Sequence, residues 1–278
     1  MTFRDELSFL LTNRVPRQWL TRLMGRLSPL EVPLVTPAAI GLWKTFSDLD
    51  LSEAKKSSFT SVQDCFIREL KPGARPIAPD PAIMVSPCDA IVGACGAIHA
   101  DTVVQAKGMP YSMTELLTDA ALAQVYEGGQ YVTLRITPTM YHRFHAPHDL
   151  DVEHVTYVSG DTWNVYPIAL RKVERLFCRN ERAILRCRLS ASGTPIALVP
   201  VAAILVASIR LHCADVLLHL KYRGPNQIPC RARYEKGQEM GWFQHGSTII
   251  ALVPKGVSLS VQEGQRIRMG EPLFRVPT

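Results

Sequence analysis

The chain lacks most of the features that would place it at a glance. It has no Cys-x-x-Cys pair: its seven cysteines, Cys65, Cys88, Cys95, Cys178, Cys187, Cys213 and Cys230, are scattered and odd in number. That argues against a disulfide framework and for a reducing compartment. Long apolar runs are missing too. The longest, Ile196 to Ser208, spans 13 residues and contains Pro200, whereas a helical membrane span needs roughly 20. The opening MTFRDELSFLLTNR carries acids where a secretion signal has a basic patch and an unbroken apolar stretch. There is no P-loop, no zinc-finger spacing and no RNA-binding aromatic signature, which leaves nothing in favour of nucleic acid. Repeats of solenoid period and low-complexity tracts are also absent. The expectation is a cytoplasmic protein, either free or attached to a membrane surface.

What is present is globular. The 278 residues are 47% hydrophobic and 20% charged, enough for one large domain, or for one domain with a short appendage. The net charge of +6 suits an anionic membrane or a nucleic acid and does not by itself choose between them.

The first 45 or so residues differ in texture from the rest. Phe3, Leu7, Leu10 and Leu11 recur at helical spacing, and Trp19, Leu20, Leu23, Met24 and Leu27 form an apolar stripe. Arg17, Arg22 and Arg26 lie off or at the edge of that stripe, with Arg14 just ahead of it. Such a basic amphipathic helix can lie in a lipid interface, with Trp and Leu buried and Arg at the phosphates. On its residues alone it is more readily a helix packed on its own domain. Pro29, Pro33 and Pro37 then interrupt the pattern before a short helix near Ile40 to Phe46.

From about residue 83 the chain reads as β-rich, with short apolar runs at 130–137, 151–158, 183–189 and 196–207 between turn residues. Helices are expected at Ser112 to Ala123 and at Ala169 to Phe177. The fold class is therefore α+β, mainly β: a β-barrel or sandwich core with an N-terminal helical appendage. The tail VQEGQRIRMGEPLF places Gly264 and Gly270 in turns between very short strands. It resembles the hairpins of biotinyl and lipoyl carrier domains without their modified lysine.

Three segments could carry chemistry. His142, His145 and His148 recur every third residue, but Pro147 prevents one helix from presenting all three, so metal ligation is disfavoured. An acid–base histidine and ordinary surface histidines both fit. In Ser86-Pro87-Cys88-Asp89-Ala90 the aspartate fits a turn or cap. In Gly246-Ser247-Thr248 the serine fits a turn entering a strand. Together they supply the Asp, His and Ser of a serine-protease-type triad, whose roles follow from geometry and not from chain order. The Ser247 hydroxyl has a further option: attack on the Gly246 carbonyl, which a residue without Cβ leaves accessible. The resulting ester can undergo β-elimination to dehydroalanine, and hydrolysis then leaves a pyruvoyl group.

Six blocks carry a resemblance. FIRELKPGARPI (66–77), SPCDA (86–90), QAKGMPYSMTELL (105–117), YHRFHAP (141–147), LFCRNER (176–182) and KGQEMGWFQHGSTII (236–250) stand in the order found in the phosphatidylserine decarboxylase family, which the chain resembles from about residue 60 onward. The resemblance implies a catalytic domain over 46–278 that cuts itself between Gly246 and Ser247. The products would be a β chain to 246 and an α chain of 247–278. It places Asp89, His145 and Ser247 on the self-cleavage triad, with His145 as base and Asp89 holding its tautomer. His142 is implied in decarboxylation or substrate binding. Ser247 would become the pyruvoyl cofactor, whose carbonyl condenses with the amine of phosphatidylserine and takes up electrons as CO₂ leaves. The product would be phosphatidylethanolamine. Two departures stand out: Met140 where many members carry Asp, and His245 where an apolar residue is common.

A diacyl substrate strengthens the docking reading of residues 1–45, with Trp19, Leu20, Leu23 and Leu27 in lipid and Arg14, Arg17, Arg22 and Arg26 at the headgroups. The implied setting is peripheral, on the cytoplasmic face of the inner membrane and against anionic lipid. The implied assembly is a homodimer of processed αβ pairs, with no nucleic acid and no metal. Rival readings are a pyruvoyl enzyme for another amino acid, a non-enzymatic carrier module, and metal hydrolysis at the histidines. Intact mass under denaturing conditions separates them: self-cleavage predicts two fragments, the smaller blocked to Edman degradation, and a carrier predicts one unsplit chain.

Overall fold

The computed structural model describes residues 17–204, 208–219, 222–244 and 247–277. Three helices lead: α1 (Arg17–Leu27), α2 (Val35–Phe46) and α3 (Val62–Phe66). Then come β1 (Ile83–Val85), β2 (Ala90–Ala97), the hairpin of β3 (Thr102–Ala106) and β4 (Met109–Ser112), α4 (Met113–Leu117) and α5 (Ala120–Val125). The middle of the chain forms β5 (Gln130–Ile136), β6 (Arg143–His145), β7 (Leu150–Val158), α6 (Pro167–Leu170), α7 (Leu176–Arg179), β8 (Arg182–Leu189) and β9 (Pro195–Ala202). It closes with β10 (Ser208–Leu211), β11 (Val216–His219), β12 (Gln227–Tyr234) and β13 (Glu239–Phe243). After these come β14 (Ser247–Val253), β15 (Ser258–Leu259), β16 (Arg266–Ile267) and β17 (Pro272–Arg275).

An eight-stranded sheet in the order β12-β7-β8-β9-β14-β5-β2-β16 organises the molecule. Its central strand β14 is buried at every position, which is why STIIALV reads as a continuous apolar run and not as an alternation. One face, with Ile249, Ala251, Leu134 and Leu198, packs on two smaller sheets, β11-β10-β13-β6 and β1-β17-β15. The other face, with Ile250, Leu252 and Val199, packs on the β3–β4 hairpin and helices α4 to α7. The α+β, mainly β class is as expected and the core is a sandwich. Among the described residues none of the sheets closes into a barrel. The large sheet runs linearly from β12 to β16, and β12 has the alternating exposure of an edge strand.

The expected strands at 130–137, 151–158 and 183–189 are β5, β7 and β8, while the run 196–207 ends its strand at Ala202. The helix expected over 112–123 is two. Thr118 takes a left-handed conformation (φ +55°), and the Asp119 side chain then caps α5 by accepting from Leu122 N–H. The segment at 169–177 likewise divides into α6 and α7. Helix α2 begins earlier than expected, with Pro37 inside its first turn, where a missing N–H costs nothing. Gly264 and Gly270 occupy tail turns at φ +85° and +92°. A Cβ on Gly270 would lie 2.4 Å from the Pro76 carbonyl, so both conformation and space require glycine.

The leading helices hold a small core of their own, in which Ile40, Leu49, Ala54, Phe59 and Cys65 are buried with Trp43 beside them. Arg17 ties α1 to the body through the Asp161 carboxylate at 2.7 Å and lies 3.6 Å from the Trp163 ring centroid. Phe66 stacks on Trp43 (4.5 Å) and meets the His142 ring edge-on (5.3 Å). The helical layer therefore covers the sheet end where β5 and β9 finish and β14 begins.

Candidate active site

Backbone hydrogen bonds bring the three chemistry-bearing segments together. His145 N–H donates to the Pro87 carbonyl (2.8 Å), Ala146 N–H to Gln238 (2.8 Å) and Phe243 N–H to His142 (3.0 Å). The antiparallel pairing of β6 with β13 sets Glu239 opposite His145 and Trp242 opposite Arg143. This register puts His142 next to Phe243, near the corner that leads into β14, and carries His145 three residues further away.

Ser247 is the first residue of β14, opposite Ile136 on β5 and Ala202 on β9. It is fully buried, and its Oγ has no hydrogen-bond partner among the described residues. An unpartnered buried hydroxyl is costly, and the hydroxyl of Thr248, next on the same strand, is likewise buried without a partner among the described residues. Gly246 and His245 lie outside the described residues, as does Arg14.

His145 is buried. Its Nδ1 faces the Gly237 carbonyl at 2.8 Å and its Nε2 faces the Tyr141 hydroxyl at 3.0 Å. A carbonyl can only accept, so Nδ1 carries the hydrogen and Nε2 accepts from tyrosine. Burial holds the imidazole below its ordinary value, with the Gly237 hydrogen bond and Glu239 pulling the other way. The ring is thus neutral at neutral pH and is a base at Nε2. Burial pushes the Tyr141 phenol upward, so it stays protonated as the donor.

Asp89 does not hold His145 here. Its carboxylate is gripped by Arg75, through Nε at 2.8 Å and Nη2 at 2.5 Å, and accepts from Met269 N–H at 3.0 Å. The expected Asp89–His145 hydrogen bond is replaced by the Gly237 carbonyl, which sets the tautomer instead. The reason is competition: a guanidinium offers two parallel donors to a carboxylate, and an imidazole offers one. Arg75 also binds Glu53 (2.8 Å) and sits 5.9 Å from the Tyr141 ring centroid. Asp89 therefore reaches His145 through the chain Arg75, Tyr141. The same groups line an open polar cavity with Asp50, Arg68 and Arg268.

His142 is fully buried with Nδ1 2.8 Å from the Met140 carbonyl, which makes Nε2 its basic nitrogen. The bond uses the backbone of residue 140, so methionine in place of aspartate does not remove it. Arg68 holds the same carbonyl at 3.2 Å. His148 points elsewhere, its Nε2 at 2.8 Å from the Pro81 carbonyl. Among the described residues no group of three or more His, Cys, Asp or Glu is placed to hold a metal ion.

Trp19 and Leu27 are exposed on α1, as are Arg22 and Arg26, while Leu20 and Leu23 are half-buried. Sequence reading missed the second half of this surface. Leu34 is 87%, Leu42 62% and Phe46 82% exposed at the start, middle and end of α2. The signal was available: VTPAAIGLWKTF is too apolar all round for a helix of which only Thr36 and Ile40 are buried.

The sequence model of the phosphatidylserine decarboxylase family matches residues 62–275. The chain belongs to this family. It is 36% identical over 289 residues to a phosphatidylserine decarboxylase proenzyme of Aliivibrio salmonicida, with 98% of this chain and 99% of the relative covered. It is 34% identical over 270 residues to that of Brevibacillus brevis, with 95% of each covered. With that of Shewanella baltica it shares 37% identity over 272 residues, covering 94% and 92%. No described helix is long and apolar enough to cross a membrane.

The Arg75–Asp89 pair generates a measurable outcome. In the Ser247→Ala chain, Arg75→Met leaves Asp89 buried without its cation and lowers stability to denaturant by about 3–5 kcal/mol. Adding Asp89→Leu to Arg75→Met restores most of that loss.

Proposed function

We propose that this chain cuts itself between Gly246 and Ser247, converts Ser247 to a pyruvoyl group, and then decarboxylates phosphatidylserine to phosphatidylethanolamine. The observation that carries this is the fully buried Ser247 Oγ, without a partner among the described residues, at the head of a central strand, with His142 held beside Phe243 on the segment that leads into it. The position suits the change: β-elimination removes the Ser247 Oγ, which has no partner to lose among the described residues, and leaves a methyl at Cβ with the new carbonyl at Cα. When formed, that carbonyl supplies an electron sink for loss of the carboxylate.

This chain's own residues do the rest. An imidazole Nε2 removes the Ser247 proton so that Oγ can attack the Gly246 carbonyl. His145 fills this role, held by Gly237 and Tyr141, with Asp89 positioning it through Arg75. His142 assists decarboxylation from beside Phe243. The β6–β13 register supports a second arrangement, in which His142 is the base for cleavage. Intact mass separates the two: under the first, His145→Asn stays uncleaved and His142→Asn cleaves but loses decarboxylation by roughly 100-fold or more. The reverse cleavage pattern assigns the base to His142.

The substrate enters from lipid at the helical layer. Residues 1–45 form the docking segment and 46–278 the catalytic domain. Trp19, Leu20, Leu23, Leu27, Leu34, Leu42 and Phe46 meet acyl chains, with Arg14, Arg22 and Arg26 at anionic headgroups. Arg17 instead anchors the layer to Asp161. The protein sits peripherally on the cytoplasmic face of the inner membrane, and the processed αβ pairs form a homodimer. Flotation with phosphatidylglycerol-containing vesicles tests the docking: the combined change Trp19→Ser, Leu34→Ser, Phe46→Ser leaves cleavage intact and abolishes co-flotation. Unchanged flotation of that variant refutes the surface.

A further inference from the structure

Glu181 has no part in the roles above, yet it is the most unusual side chain at this end of the sheet. It directly precedes β8 and is fully buried, and the one side-chain group that interacts with its carboxyl among the described residues is the Tyr157 hydroxyl. Tyr157 faces it from β7, with its hydroxyl 3.2 Å from the His219 carbonyl. The adjacent Arg182 points to the other face of the sheet, where it donates to the carbonyls of Leu116 and Cys178. Burial pushes the Glu181 carboxyl up to about 8, with Tyr157 acting in the opposite sense, so it is largely neutral at pH 7.

The register gives this acid an address. Arg182 pairs with Val201 and Leu185 with Leu198, so Glu181 falls opposite Ala202, whose N–H donates to the Glu181 carbonyl at 2.8 Å. Ala202 in turn pairs with Ser247. Directly opposed residues share a face. Glu181, Ala202 and Ser247 thus form one row on the same side of three adjacent strands, with Cα atoms of the outer two roughly 10 Å apart. The residue between them in the row is an alanine, whose side chain is a methyl group. The entry side matches as well: Glu181 N–H donates to the Asp161 carbonyl (2.9 Å), and the Asp161 carboxylate holds Arg17 of the docking helix.

The two histidines leave one chemical need unmet. Each has its Nδ1 hydrogen committed to a backbone carbonyl, and His145 Nε2 accepts from the Tyr141 hydroxyl, so neither nitrogen holds a proton ready to give to carbon. Decarboxylation also needs an acid, because the carbon that CO₂ leaves must gain a proton. We propose that Glu181 is that acid, a catalytic residue lying across Ala202 from residue 247 that protonates the substrate carbon. This rests on position 247 as the reacting centre. The C–CO₂ bond breaks with its electron pair drawn toward the carbonyl at 247; the pair returns to form the C–H bond with the Glu181 proton. The carboxylate left behind takes a proton from the ammonium group of the next substrate, which then reacts as the free amine. No oxidant or further reactant is required.

The test uses the full chain with Glu181→Gln and Glu181→Asp. Glu181→Gln keeps the shape, so it self-cleaves and its small fragment still reacts with phenylhydrazine. On phosphatidylserine in mixed micelles its kcat falls by roughly 100-fold or more with KM little changed. Glu181→Asp recovers part of the rate, and the fall in parent kcat above about pH 8 is absent from Glu181→Gln. A readout independent of activity comes from the Ser247→Ala background. A carboxyl raised from 4.5 to about 8 on folding stabilises fully below 4.5, and that contribution is lost as pH rises to about 8. The advantage in thermal midpoint of Glu181→Gln over the parent therefore grows across that window and levels off above it. A cleaved, hydrazine-reactive Glu181→Gln enzyme with kcat within three-fold of the parent overturns the proposal, as does an unchanged alkaline limb. Loss of cleavage in Glu181→Gln, with lowered stability even at acid pH, also overturns it by assigning Glu181 to the fold. An unsplit parent chain that is active refutes the reading of residue 247 itself, whatever Glu181 does.

Discussion

The ladder that holds β14 between β5 and β9 is the constraint on which the rest depends. Seven residues pair on one side and six on the other, and no position of the strand meets water. A strand fixed this way cannot slip without turning Ile249 and Ala251 out of one core and Ile250 and Leu252 out of the other. Its first residue is a serine whose hydroxyl would be better satisfied almost anywhere on the surface. The sheet thus holds that hydroxyl in place with the strength of two hydrophobic layers. Precise placement on a rigid element is what an intramolecular attack requires.

Desolvation sets the protonation states around that group. The same burial that keeps His145 neutral and basic keeps Glu181 neutral and acidic, because in each case the charged form is the one penalised. Asp89 is a different case. It is buried against a guanidinium that compensates it, and so it becomes part of a charged bracket with Arg75, Glu53 and Arg268. Acid, base and ion pair stand at one end of one sheet, and what separates their behaviour is whether a cation is within reach.

Much of this was legible in the sequence, for identifiable reasons. Strands buried on both faces leave apolar runs that few helices of that length share, which is why β5, β7 and β8 could be read directly. The six family blocks gave the residue identities at the site. Contacts were not legible. Nothing in SPCDA says that Asp89 will meet Arg75 before His145, since that depends on where FIRELKPGARPI returns in space. The division of 112–123 into two helices turned on one left-handed threonine. Glu181 was overlooked as one charge among neighbours in NER, although its parity was visible: it is in phase with Ala183, Leu185, Cys187 and Leu189, all of which face a core.

The position of β14 in the sheet also governs what a break ahead of Ser247 would do. Both neighbours of β14 lie earlier in the chain, and so do β2 and β1, the partners of β16 and β17. Such a break severs the polymer without severing the sheet. The short C-terminal piece would stay clasped like a central stave, since pulling it out divides the barrier between two cores into two exposed halves. Contacts across the strands, and not the chain itself, would then hold the two pieces together.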